Sequence, residues 1–369
     1  MSCVVQQDDL SKALNTLQAF IGKKSPLVIM SYFLVRIDNG QIEVSGTDLE
    51  VSVSMQVPAE VKQSATFSVP GKMFADVVRQ LPTGLMNLSL SDAKKLEIKS
   101  NTTKYKLNVL GALEFPKIPG LDLVTDRKID CRIFAEMINR TIYAASHDEA
   151  KFNLSGICFE PTSDGRVTMV ATDGHRFALS TRDIPDLRLG HRVLFPKRGL
   201  SELRRVFDDG HLKEVEVGFG GGFVVFKSDS SKFALRLMDV DYPDYARAFP
   251  KSSGVKIEIL VQEFSDALRR VSLILASQGQ GVRVDIAEDS MRISSRSPEL
   301  GESEERLVIV GTDEPISVGF NARFLIDVVS SFLISEKIVI EILNGNEPAR
   351  FYPCDDEHSI AMVMPIRIE

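Results

Sequence analysis

One segment returns three times along the chain at almost constant spacing. Val-Pro-Gly-Lys-Met-Phe-Ala-Asp-Val-Val-Arg-Gln-Leu begins at Val69, Phe-Pro-Lys-Arg-Gly-Leu-Ser-Glu-Leu-Arg-Arg-Val-Phe at Phe195 and Phe-Asn-Ala-Arg-Phe-Leu-Ile-Asp-Val-Val-Ser-Ser-Phe at Phe320, offsets of 126 and 125. Each copy puts a base at one position (Lys72, Arg198, Arg323) and an acid four residues later (Asp76, Glu202, Asp327). Upstream, Leu10, Leu14, Leu17 and Ile21 match Phe264, Leu268, Val271 and Leu275, with a looser middle copy in Phe134, Ile138 and Ala145. Apolar residues at i, i+4, i+7 and i+11 form one helix face. Gly46-Thr47-Asp48 and Ala171-Thr172-Asp173 lie 125 apart, and Phe115-Pro116 and Tyr242-Pro243 lie 127 apart. Three copies of about 123 residues fill the 369-residue chain. A period of that length is a domain rather than the unit of a solenoid.

The helical stretches predicted are 7–21, 71–82, 132–146, 197–209, 261–276 and 321–333. Between them the apolar period drops to two, as in Ile42/Val44, Val51/Val53, Val215/Val217 and Ile338/Ile340/Ile342. Asp38-Asn39-Gly40, Asp164-Gly165 and Asn344-Gly345 punctuate these runs as hairpin turns. The expected fold is α+β, with two helices and mostly antiparallel sheet per copy. Boundaries fall in Leu121–Asp126 and Lys251–Gly254, giving domains 1–125, 126–252 and 253–369.

Charged residues at 26% and hydrophobic ones at 44% are ordinary globular usage. A net charge of −7 excludes a chain that is basic throughout, so a nucleic-acid contact would need a local surface. The predicted helices hold 12 Lys/Arg against 10 Asp/Glu; the remainder holds 32 against 41. Lys72 with Arg79, and Arg198 with Arg205, each share a helix face. Two readings stay open: intrahelical pairing such as Lys72 with Asp76, or helices that line one surface facing phosphates. Absence of Trp and 7% aromatics predict an aliphatic core. The start MSCVVQQDDL has no signal-peptide pattern, and the longest apolar runs, such as Leu27–Met30 and Leu273–Ala276, are far short of a membrane span. Cys3, Cys131, Cys158 and Cys354 form no CxxC pair, which predicts reduced, mostly buried thiols in a cytoplasmic protein with no structural metal site.

Gly218-Phe-Gly-Gly-Gly-Phe fits neither GxGxxG nor a P-loop, and its flanks alternate, so it reads as a hairpin turn. Gly22-Lys-Lys-Ser lacks the upstream glycine of a P-loop. Thr172-Asp173-Gly174-His175-Arg176 gathers a carboxylate, an imidazole and a guanidinium within a few residues. It suits a polar turn between strands, a binding surface, or acid–base work by His175. The tail Ala-Met-Val-Met-Pro-Ile-Arg-Ile-Glu is apolar almost to its end. It suits a last strand closing a sheet, or the lip of a groove where Met side chains adapt to several partners.

The repeat, Gly46-Thr-Asp-Leu-Glu, Val170-Ala-Thr-Asp-Gly-His-Arg-Phe, Phe195-Pro-Lys-Arg-Gly, Tyr242-Pro-Asp-Tyr and Val363-Met-Pro-Ile-Arg, taken in order along the whole chain, closely resemble the bacterial DNA polymerase III β-subunit family, the β sliding clamps. The resemblance implies three DNA-clamp domains per chain, closed by a head-to-tail homodimer into a six-domain ring around double-stranded DNA. It implies no reaction of its own, no cofactor and no membrane. The implied partners are a clamp loader ATPase, the DNA polymerase III catalytic subunit, and other polymerases and repair proteins that insert short hydrophobic motifs into a cleft. That cleft maps to Leu154, Thr172, Gly174, His175, Arg176 and Phe177 on one side. Pro243, Arg247, Ala248, Met362, Met364, Pro365 and Ile366 come from the other. DNA contacts map to Lys24, Lys72, Phe152 and Asn153, to which the helix charges add Arg198 and Arg205. Phe152 and Asn153 replace two tyrosines of the family pattern, Lys24 and Lys72 replace arginines, Phe177 is larger than the usual Leu, and Ala248 is smaller than the usual aliphatic residue. The dimer contact maps to Tyr105 and Leu107 against Ile274 and Leu275. Lys94, Lys95, Lys99, Lys104 and Lys106 crowd the last strands of the first domain, and Glu299, Glu302, Glu304 and Glu305 crowd one segment of the third, a charge pairing that suits a head-to-tail ring. The competing readings are a His175-dependent enzyme and an interaction scaffold that forms no ring.

Overall fold

The computed structural model describes residues 2–20, 27–91, 94–185, 187, 190–250, 252–275 and 281–367, the side chains of 149 and 311–314 excepted. Lys24, the segment 22–25, the helix ends expected at Ile21 and Ala276, and Lys251 at the second boundary lie outside the described residues. Six α-helices stand among the described residues: α1 (Gln7–Phe20), α2 (Gly71–Gln80), α3 (Cys131–Thr141), α4 (Lys197–Asp208), α5 (Val261–Val271) and α6 (Ala322–Ser331). Where α3 and α5 were expected to run further, the chain tightens into single 3₁₀ turns, Ile142–Ala144 and Ser272–Ile274.

A strand feeds directly into every helix: Ser2–Gln6, Ala65–Pro70, Arg127–Asp130, Val193–Pro196, Val255–Leu260 and Gly301–Asn321. The repeated base is the second residue of α2, α4 and α6 alike. Helix faces follow the predicted spacing, with Leu10, Leu14 and Leu17 of α1 and Phe264, Leu268 and Val271 of α5 buried. Asn321 caps α6 by accepting hydrogen bonds from the amides of Arg323 (3.0 Å) and Phe324 (3.3 Å).

The chain packs as two units. The first comprises Met1–Arg132 and Arg198–Met238 and holds a 13-stranded sheet. Its main path runs from Arg127–Asp130 through Glu214–Gly220, Phe223–Lys227, Ser231–Arg236, Val51–Gln63, Ser2–Gln6, Leu85–Ser91 and Lys95–Ser100 to Thr103–Asn108. Asn39 (φ 48°) with Gly40 (φ 77°), and Gly221 (φ 56°) with Gly222 (φ 77°), are the positive-φ pairs that two-residue hairpins require. The glycine-rich run is therefore the turn that its flanks predict. The second unit comprises Ile133–Lys197 and Asp239–Glu369 and holds a ten-stranded sheet. That sheet runs from Val193–Pro196 through Gly156–Pro161, Val167–Thr172, Arg176–Arg182, Ser359–Val363, Ala349–Pro353, Lys337–Ile342, Val255–Leu260 and Gly301–Asn321 to Gly281–Ser297. The middle sequence copy is divided between the units. Ser231–Arg236 pairs with Val51–Gln63 and Arg176–Arg182 pairs with Ser359–Val363, so each sheet runs unbroken across a copy boundary.

The core is mostly Val, Leu, Ile and Ala, as the composition predicts, with phenylalanines set into it. The bulkiest fully buried side chains are all phenylalanines, among them Phe20, Phe67, Phe74, Phe134, Phe159 and Phe195. Phe supplies 21 of the 27 Phe and Tyr residues, and it alone of the aromatics buries without needing a polar partner. Phe134, Phe159 and Phe195 meet edge to face with centroids 5.6–6.3 Å apart.

Candidate functional site

The turn at Thr172–Arg176 joins the strands Val167–Thr172 and Arg176–Arg182. The Asp173 carboxylate accepts from the amides of His175 (2.9 Å) and Arg176 (3.0 Å), and the Thr172 hydroxyl donates to the Arg176 carbonyl (2.7 Å). Gly174 takes φ 90°. The same turn stands one repeat earlier. The Asp48 carboxylate accepts from the amides of Glu50 (3.2 Å) and Val51 (2.8 Å), the Thr47 hydroxyl donates to the Val51 carbonyl (3.0 Å), and Leu49 takes φ 74°. Of the three readings of this segment, the polar turn is realised. Acid–base work by His175 finds no support, because Asp173 spends its carboxylate on the backbone and on Arg176, while the His175 ring stacks on Phe324 at 6.4 Å.

Arg176 is the anchor of this turn, with only 6% of its side chain exposed. Its guanidinium donates from Nε to Asp173 (3.0 Å) and from Nη1 to Asp327 of α6 (2.6 Å). It also lies over the rings of Phe324 (4.5 Å) and Tyr143 (5.5 Å). A cation this deep persists only when paired and hydrogen-bonded, and here two carboxylates and two ring faces surround it.

Beside the turn lies a cleft of about 120 Å³, room for roughly four waters or one branched side chain. Thr172, Gly174, His175, Arg176 and Phe177 line it together with Ala248, Pro348, Met362 and Met364. Phe177 packs against Phe249 (5.3 Å) and Tyr245 (5.7 Å), which sets its ring as a largely buried wall. Met362 lies inside the strand Ser359–Val363 and is 2% exposed, whereas Met364, just past it, is 38% exposed. The Met364 amide donates to the His175 carbonyl (2.8 Å), so the tail both closes the sheet and forms the lip. The remaining expected members, Leu154, Pro243, Arg247, Pro365 and Ile366, are outside the lining of this cleft. Arg247 pairs with Asp244 (2.9 Å), and Ile366 donates its amide to Gly319 (2.8 Å).

Phe152 (58% exposed) and Asn153 stand on a 3₁₀ segment, Glu149–Leu154, that breaks at Lys151 (φ −105°, ψ 48°). Lys151 Nζ donates to the Asp173 carbonyl (3.1 Å), tying this segment to the turn. At its base Lys197 Nζ donates to the Ala145 carbonyl (2.8 Å) and lies 2.9 Å from His147 Nε2. Burial, aided by Arg176, holds the Lys197 pKa down to about 8, and Lys197 in turn lowers that of His147.

Among the helix cations, Lys72 is exposed on α2. The anticipated Lys72–Asp76 pairing is replaced, because Asp76 pairs with Arg79 one turn on. Arg205 pairs with Glu202 (3.0 Å) and Arg323 with Asp327 (3.1 Å). Arg198 turns to Asp48 (2.7 Å) and the Phe20 carbonyl (2.6 Å), so its head group already fastens the first-unit turn. Thr103–Asn108 is the last strand of the first sheet and Gly281–Ser297 of the second. Tyr105 is 38% exposed there, and Leu107, Ile274 and Leu275 are half-buried. The charge patches are partly quenched within themselves. Lys99 (2.8 Å) and Lys104 (2.7 Å) converge on Glu97 and, led by Lys104, hold its pKa down to about 2. Glu302, Glu304 and Glu305 each meet an arginine, respectively Arg296, Arg292 and Arg270.

Sequence reasoning missed Asp327 and Pro348, which join this site from distant positions. The Asp327 signal was present, since it is the repeated acid of the third copy; Pro348 had none. Among the described residues no group of three or more His, Cys, Asp or Glu could hold a metal ion. No described helix is long and apolar enough to cross a membrane.

Comparisons with known proteins bear on what this arrangement does. Family models of the DNA polymerase III beta subunit match end to end: the N-terminal domain at residues 1–119, the central domain at 128–244 and the C-terminal domain at 246–367. The chain is 26% identical over 370 residues to the beta sliding clamp of Vibrio cholerae and 25% over 369 to that of Escherichia coli, with 100% of each chain covered. A solved sliding clamp from Bartonella birtlesii, bound to griselimycin, superposes with a TM-score of 0.93 at 26% identity. The beta subunit from Thermotoga maritima gives 0.89 at 28% identity, again with 100% of both chains covered in each comparison.

Proposed function

The chain belongs to the DNA polymerase III β-subunit family, and on that premise we propose how its residues divide the work of a sliding clamp. It is a processivity factor and not a catalyst. The observation that carries the reading is the two-helix unit repeated three times, with the base in the same helix position each time and domain models matching almost every residue.

Three domains, 1–125, 126–252 and 253–369, pair head to tail with those of a second copy as a six-domain ring around duplex DNA. Terminal strands Thr103–Asn108 and Gly281–Ser297 support this, since a strand paired on one side offers its backbone to a second chain. Tyr105 and Leu107 of one copy meet Ile274 and Leu275 of the other. Lys24, Lys72, Arg198, Arg205, Phe152 and Asn153 face the DNA. The acid on Arg205 suits sliding: a phosphate contact there must displace the Glu202 carboxylate already in place, so the contact is brief. The cleft at His175 and Met364 takes the short hydrophobic motifs of the polymerase III catalytic subunit, the clamp loader ATPase, other polymerases and repair proteins. The outer members Leu154, Pro243, Arg247, Pro365 and Ile366 extend its rim. The cytoplasm is the compartment this reading requires, and four unpaired thiols support it.

Sedimentation equilibrium tests the ring. The expected mass is about 82 kDa, twice the 40.9 kDa chain, falling toward the monomer when Ile274→Ala and Leu275→Ala are combined. A monomeric wild type would refute it.

A further inference from the structure

The repeated acid does the same work in two copies and a further job in the third. Asp76 pairs with Arg79 and Glu202 with Arg205, each within its own helix. Asp327 keeps the helical partner, since Oδ1 accepts from Arg323 (3.1 Å). Its other oxygen reaches out of α6 and accepts from Arg176 at 2.6 Å. Arg176 in turn holds Asp173, whose carboxylate fixes the amides of His175 and Arg176 beside the cleft. In the first unit the corresponding turn has Val51 in place of Arg176, and Asp48 pairs directly with Arg198. In the second unit, therefore, Arg176 (6% exposed) of the second copy and Asp327 (21% exposed) of the third stand between turn acid and helix base.

We propose that Asp327 is a positioning residue for the partner cleft: it never touches the bound peptide but fixes the His175 wall through Arg176. The proposal rests on the cleft reading above. Without the Asp327 charge, Arg176 keeps one carboxylate instead of two in a site 6% exposed, and the turn keeps its ring contacts with Phe324 but loses its ionic tie to α6. Arg323 is 61% exposed on its side of the same carboxylate, so its removal leaves the Arg176 contact intact.

The test measures affinity for a fluorescein-labelled peptide ending in Leu-Phe, together with retention on nicked circular DNA. Asp327→Asn should weaken the peptide about tenfold and leave DNA retention as in the wild type. Asp76→Asn, Glu202→Gln and Arg323→Ala should each stay within about twofold. Combined with Arg176→Met, Asp327→Asn should add nothing further, because both cut one chain of contacts. Where Asp327→Asn fails to fold, Arg176→Lys carries the test: a single ammonium cannot serve both carboxylates in the same geometry, so the same loss is expected. Peptide affinity within twofold for a folded Asp327→Asn, or for Arg176→Lys in its place, overturns the proposal, as do additive effects in the double variant. A wild type that does not bind the peptide overturns the cleft reading itself, and with it this proposal.

Discussion

Two methionines two residues apart should separate the stability of the tail from its binding role. Met362 is 2% exposed and Met364 38% exposed, although both line the cleft. Fully burying a methionine side chain is worth roughly 1.5–3 kcal/mol. The exposed 38% of Met364 is what a peptide can still cover, which leaves about 0.6–1.1 kcal/mol to be gained on binding. Met364→Ala should therefore weaken a Leu-Phe peptide by about threefold to sixfold and leave the melting temperature nearly unchanged. Met362→Ala should do the reverse and cost about 2–5 kcal/mol of stability, because it opens a cavity in the sheet joining Ser359–Val363 to Arg176–Arg182. Fluorescence anisotropy gives the affinities and urea denaturation the stabilities. Equal effects of the two variants on both readouts would refute the division of the tail into strand and lip.

Three further outcomes follow from the packing. In native protein a thiol reagent should modify Cys354 rapidly and Cys3, Cys131 and Cys158 only as the chain unfolds; fast reaction of a second thiol contradicts their burial. Urea midpoints should fall as pH rises through about 9 to 10.5. Burial pushes Cys3 up to about 11 and Cys131 and Cys158 up to about 12, so the unfolded thiols lose protons first; Lys197, held to about 8, opposes them as one group against three. Cys158→Ala should flatten that fall, and an unchanged slope would contradict the assignment. Gly218→Ala should destabilise the first unit by several times the usual glycine effect of about 1 kcal/mol, because its Cβ would stand 2.0 Å from the Val124 carbonyl oxygen. A melting temperature equal to the wild type would show that the 121–126 connector does not lie on that strand.

Helices were readable because their apolar faces repeat locally, as in Leu10, Leu14 and Leu17, and hairpins because Asn39-Gly40 and Gly221-Gly222 need positive φ. Pairings across copies were not readable. No local pattern tells Ser231–Arg236 to join Val51–Gln63, so the division into two packing units cuts through a copy that the sequence presents as whole. The cleft was half legible. Its turn and tail were marked by composition, but Asp327 reaches Arg176 across 151 positions and looked like an ordinary helix-surface acid. The helix cations misled in the other direction, since their partners are set by rotamer and turn geometry: Arg198 faces Asp48 and the Phe20 carbonyl.

The most direct measurement is retention on closed and open DNA. Labelled protein is loaded on nicked circular DNA with a clamp loader and ATP, isolated, and divided; one half is cut with a restriction enzyme. A ring held by topology stays on the circle and runs off the linear ends. Equal retention on both forms would mean ordinary surface adhesion and would contradict the sliding-clamp account of this chain.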